Sequence, residues 1–115
     1  MSKSFKIITQ EISKTLQVFR KDALEPMKGF DAMAKSAMSE GALSALQKEL
    51  IATAIAVSTR CDGCIGFHVR ALVKLKATRE QINEMLSVAV YMGGGPSLMY
   101  AAEVLQAYDE FIAGS

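Results

Sequence analysis

Apolar residues recur at three- and four-residue steps along most of this chain, and the phase is reset at several punctuated points. Phe5, Ile8, Ile12, Leu16 and Phe19 form the first such series, the signature of an amphipathic helix. Pro26 fits the first turn of a second helix through Met27, Phe30, Met33, Ala34 and Met38, with Gly41 as its stop. Ser44 followed by Gln47 makes a capping box for a third helix, roughly 45 to 59, with Leu46, Leu50 and Val57 as its stripe and Ile51 and Ile55 beside it. A fourth helix is expected from near Cys61 to about Lys76. Thr78 and Gln81 repeat the capping box ahead of a fifth, with Ile82, Met85, Leu86 and Ala89 inward. Gly93-Gly94-Gly95-Pro96 then breaks the chain before a sixth helix carrying Leu98, Ala101, Ala102, Leu105 and Ile112. No segment alternates with period two. The pattern predicts an all-α fold of five or six helices in a single domain over 1–115, with no repeats and no linker.

Composition agrees with this reading and narrows the function. Half of the 115 residues are hydrophobic, Trp is absent and Pro occurs twice, so a core is affordable without disulfide staples. Thirteen basic against twelve acidic residues leave a net charge of +1. No basic tract interleaved with aromatics points to nucleic acid. The longest apolar run, Leu50 to Val57, is too short to span a bilayer. The N-terminal stretch lacks the apolar core of a signal peptide. The expectation is a cytoplasmic protein with neither nucleic-acid nor membrane partners. In that reducing compartment two cysteines point to catalysis or metal binding rather than to a structural bridge.

Chemistry concentrates in one place. Both cysteines and the only histidine fall within Cys61-Asp62-Gly63-Cys64-Ile65-Gly66-Phe67-His68. At about 100° per residue, Cys64 lies about 60° from Cys61 on a helix, and His68 falls between them. Two thiols and an imidazole therefore share a stripe with Leu72 and Leu75, opposite Arg70 and Lys74. Cys61 is expected at the helix N-terminus, where unpaired amide N–H groups favour a thiolate. His68, one turn beyond Cys64, is spaced to exchange a proton with that sulfur. On the third helix, Glu49 sits among Ala45, Leu46, Ala52, Thr53 and Ala56. A carboxylate so placed needs a hydrogen-bond partner, and His68 is the candidate. Zinc is the rival for the same four residues, which are ligands of acceptable type, although three donors from one helix strain a tetrahedron. Two buried structural thiols are the plainer alternative. The triple glycine lacks the strand and the Lys-Ser/Thr of a phosphate loop and suits close packing or a turn. Asp62 serves either as a helix-start cap or as an electrostatic modulator of the thiols.

Leu43 to Phe111 resembles the alkylhydroperoxidase D-like branch of the carboxymuconolactone decarboxylase family. The resemblance is carried by Lys48-Glu49-Leu50-Ile51-Ala52, Cys61-x-x-Cys64-x-x-x-His68, Ala77-Thr78-Arg79-Glu80 and Tyr91-Met92-Gly93-Gly94-Gly95-Pro96. It implies an all-helical domain assembled as a homo-oligomer, a trimer or hexamer, with thiol-dependent peroxidase or disulfide reductase activity. Glu49, Cys61, Cys64 and His68 then match the family's proton-relay and redox residues. The implied substrates are a hydroperoxide or a disulfide, the implied reductant is an external dithiol or thiol protein, and no external redox cofactor is called for. The decarboxylase branch generally lacks the cysteine pair. Members with an additional His inside the motif differ from this chain, which has Asp62 and Gly63 there. A non-catalytic redox sensor using the same dithiol, and a decarboxylase-like enzyme acting on a small organic acid, are the competing functions.

Overall fold

The computed structural model describes residues 2–114, and its helices follow the punctuation of the sequence: α1 (Phe5–Asp22), α2 (Leu24–Met38), α3 (Ala45–Thr59), α4 (Asp62–Lys74), α5 (Arg79–Gly93) and α6 (Gly95–Gly114). Among the described residues there are no strands. Both capping boxes form. Ser44 and Thr78 each accept the amide N–H three residues on, while Gln47 and Gln81 reach back to the cap amides. The α5–α6 break works as a glycine device: a Cβ on Gly93 would collide with the Ser97 side chain, and Gly94 adopts φ 71°.

The core forms around α4, which packs against α1, α3 and α6, while α5 closes the far side on α3 and α6. Ile65, Val69 and Leu72 of α4 are fully buried, joined by Phe5, Val57, Ile82, Val104 and Phe111. Tyr108 belongs to this core and donates its hydroxyl to the Ala77 carbonyl at 2.8 Å, tying the α4–α5 turn to α6. Gly63 and Gly66 let α1 lie close on α4. A Cβ at Gly66 would meet Thr9 Cγ2 at 2.5 Å, and one at Gly63 would meet Ile12 Cδ1 at 2.8 Å.

Several helix faces differ from those the periodicity predicts. On α6 the buried positions are Ser97, Ala101, Val104, Ala107, Tyr108 and Phe111, whereas Leu98 and Ile112 are half exposed. On α3 the predicted stripe holds, with Val57 buried and Leu46 and Leu50 packed against the core; Thr53 and Ala56 join it, while Ile51 and Ile55 beside it turn out. Leu75 is exposed because α4 ends at Lys74 and the chain turns through Lys76 at φ 62°. α2 buries no residue at all. On α6, Ser97, Ala101 and Ala107 fill part of the buried face, and such small residues carry little hydrophobic signal in a sequence.

Candidate redox site

The site begins with how α3 stops. Arg60 takes the left-handed conformation at φ 56°, and its amide donates to Val57 while the Cys61 amide donates to Ala56 at 3.1 Å. These paired bonds form a Schellman turn. An arginine occupies the position where glycine avoids a cost of about 1–2 kcal/mol. Immediately afterwards Cys61 becomes the N-cap of α4, with extended backbone angles and its carbonyl accepting from Ile65 at 2.9 Å. One residue thus closes one helix and opens the next.

Cys61 and Cys64 are joined in a disulfide with 5.2 Å between their Cα atoms, within the ordinary range for such bridges. Cys61 Sγ accepts the Cys64 amide N–H at 3.2 Å, so sulfur stands where a serine or aspartate oxygen normally caps a helix. The sulfur therefore meets an unpaired N–H and the positive end of α4, the setting that stabilises a thiolate when the bond is reduced. Both cysteines are half-buried rather than enclosed in the core.

The structure brings the predicted carboxylate and imidazole together. His68 Nδ1 lies 2.6 Å from Glu49 Oε1, with the histidine side chain 33% and the glutamate 15% exposed. An ionised carboxylate only accepts, so with Glu49 ionised Nδ1 is the donor in this contact. The pair bridges α3 to α4 and answers the need of the partly buried Glu49 for a partner. Among the described residues, no three Cys, His, Asp or Glu side chains are disposed to hold a metal ion, and sulfurs joined to each other offer no thiolate ligand.

One part of the surroundings lay beyond sequence reasoning. Asp62, inside the motif, forms an ion pair with Lys3 at 2.9 Å, and Lys3 also meets Glu103 of α6 at 2.6 Å. Hydrogen bonds to Glu103 first and Asp62 second hold the Lys3 ammonium well above its usual pKa. These residues are separated by most of the chain, and no local spacing links them. The motif's two middle residues also acquire physical reasons. Asp62 stands in the first turn of α4, where an acid is favoured, and Gly63 faces Ile12, leaving little room for a larger side chain.

The sequence profile of the carboxymuconolactone decarboxylase family matches residues 25–107. An uncharacterized protein of Cupriavidus necator is 38% identical over 109 residues, covering 95% of this chain and 96% of its own length. An uncharacterized protein encoded in the cox locus of Paracoccus denitrificans is 40% identical over 81 residues, covering 70% of this chain and 73% of its own. Among solved structures, the crystal structure of an apo carboxymuconolactone decarboxylase family protein from Legionella pneumophila superposes with a TM-score of 0.92 at 57% identity, covering 93% of this chain and 96% of that one.

Proposed function

Because the chain belongs to the carboxymuconolactone decarboxylase family and carries a bonded Cys61–Cys64 pair, we propose that it is a thiol-dependent peroxidase or disulfide oxidoreductase of the alkylhydroperoxidase D-like branch. The observation that carries the reading is the disulfide seated on the N-terminus of α4. The Glu49–His68 pair on the adjoining helices supports it. Antioxidant defence in the cytoplasm is the setting proposed for this activity. No helix of the described residues is long and apolar enough to cross a membrane.

In the peroxidase cycle one cysteine thiolate attacks the terminal oxygen of a hydroperoxide. The O–O bond breaks, the sulfur becomes a sulfenic acid, and the leaving alkoxide takes a proton to depart as an alcohol. His68, oriented by Glu49, is the proposed proton carrier. The second thiol then displaces hydroxide from the sulfenic acid, forming the disulfide and water. An external dithiol reduces that disulfide through a mixed disulfide and is itself oxidised. The same reading includes a homo-oligomer, a trimer or hexamer. Leu24, Phe30 and Met33 on α2 are each half or more exposed within one chain, and a second copy would cover them.

Intact mass of the reduced protein, before and after one equivalent of an organic hydroperoxide, tests this. The wild type is expected to lose two protons as the disulfide forms. Either Cys61→Ser or Cys64→Ser should abolish turnover. Whichever variant retains the attacking sulfur should trap a single added oxygen. A wild type inert both to hydroperoxide and to exchange with a dithiol would overturn the proposal.

A further inference from the structure

The segment ahead of α1 is fastened to one face of α6 by three consecutive residues. Lys3 pairs with Glu103, and its carbonyl accepts from Gln106 Nε2. The Ser4 hydroxyl and the Phe5 amide both donate to Glu110, the latter at 2.8 Å. Glu103, Gln106 and Glu110 follow each other at helical spacing, so the strap runs along a single stripe. Lys3 is partly exposed, yet its ammonium is paired on two sides. Its ammonium lies between Glu103, whose side chain is 13% exposed, and Asp62, with the Tyr100 ring centroid 5.7 Å away.

Asp62 is the residue after Cys61, and the two share the N-terminus of α4. On reduction that end of the helix holds two anions: the Asp62 carboxylate and the thiolate at Cys61. Their repulsion works against the helix dipole that favours the thiolate. We propose that Lys3 is a positioning residue of the dithiol, which neutralises Asp62 and thereby raises the thiolate share of reduced Cys61. The proposal rests on the redox reading of the cysteine pair. The titratable and charged groups on the elements that meet at this turn are Asp62 and His68 of α4, Arg60 of the preceding turn, Glu49 of α3 paired with His68, and Lys3 with Glu103 of α6. Lys3 keeps its charge throughout the range in which a thiol titrates, because its partners hold it protonated. Lys3 therefore adds no titration of its own to the alkylation profile.

The test is the rate of iodoacetamide alkylation of reduced full-length protein against pH, in a Cys64→Ser background so that Cys61 alone reports. Lys3→Gln is expected to slow alkylation at neutral pH by roughly three- to tenfold, the effect of one charge acting through well-solvated surroundings. Its pH profile should move to higher pH. Lys3→Arg should preserve the rate, and Asp62→Asn alone should quicken it. Adding Lys3→Gln to Asp62→Asn should then change little. Two results overturn the proposal: Lys3→Gln lowers the melting temperature while alkylation stays at the wild-type rate, or it slows alkylation equally with and without Asp62. Alkylation reports thiolate whether or not hydroperoxide is turned over. A protein inert to peroxide but with this Lys3 dependence would remove the proposed peroxidase step and leave the charge relation standing.

Discussion

α4 and α2 are both helices with apolar residues at helical spacing, yet they occupy opposite physical situations. α4 is surrounded by α1, α3 and α6, and Ile65, Val69 and Leu72 have no exposed surface. α2 touches α1 and α3 alone, buries nothing, and leaves Phe30 54% and Met33 62% exposed. The difference lies less in hydrophobicity than in what can approach. Gly63 and Gly66 open α4 to α1, so backbone meets side chain closely along it. The helix bearing the cysteines is thus packed against three neighbours, α1, α3 and α6.

The largest effect separating the two helices is expected from truncation. Leu72→Ala should cost about 2–5 kcal/mol in urea unfolding, since it opens a void in a closed core. Met33→Ala, measured at dilutions where chains are separate, should stay within about 0.5 kcal/mol. Equal losses would erase the distinction. Glycine substitutions sharpen it next. Gly66→Ala drives a methyl into Thr9 and should cost about 1–3 kcal/mol. Gly29→Ala on α2 meets nothing within 4 Å and should stabilise by about 0.5–1 kcal/mol through helix propensity. A Gly66→Ala protein as stable as the parent would show that α1 does not lie as close to α4 as described.

The smallest contrast is electrostatic. Burial raises the Glu110 carboxyl, but hydrogen bonds from the Ser4 hydroxyl and the Phe5 and Lys6 amides outweigh it and leave the group below its usual value. A carboxylate depressed in the folded state stabilises above its unfolded pKa, and that contribution is lost as pH falls through the folded one. Glu110→Gln should therefore cost about 1–2 kcal/mol at neutral pH, with the gap to wild type closing on acidification. The exposed Arg20–Asp31 pair, which joins α1 to α2 at 2.6 Å, is expected to contribute at most about 1 kcal/mol. A pH-independent Glu110→Gln deficit would mean that the carboxylate's charge plays no part in docking α1.

Local chemistry was legible in the sequence, and long-range company was not. Ser44 with Gln47 and Thr78 with Gln81 announce helix starts because both partners lie within four residues. Cys61, Cys64 and His68 declare a shared stripe for the same reason, and Glu49 could be matched to His68 because a partly buried carboxylate needs a partner. The buried face of α6 differs from the periodic one at Leu98 and Ile112, which stand half exposed while the small Ser97 and Ala107 turn inward beside Val104, Tyr108 and Phe111. Lys3, Asp62 and Glu103 meet only once α1 and α6 have docked beside α4. The exposure of α2 likewise depends on which neighbours exist, which periodicity does not encode.

Cys61 is anchored by its backbone on both sides, its amide to the end of α3 and its carbonyl to the first turn of α4. Making or breaking the sulfur–sulfur bond leaves the main chain few options, and the adjustment falls to side-chain torsions. The disulfide is thus held at a fixed backbone position between α3 and α4. On the proposed redox reading, an external dithiol would have to reach the half-buried sulfurs where they stand.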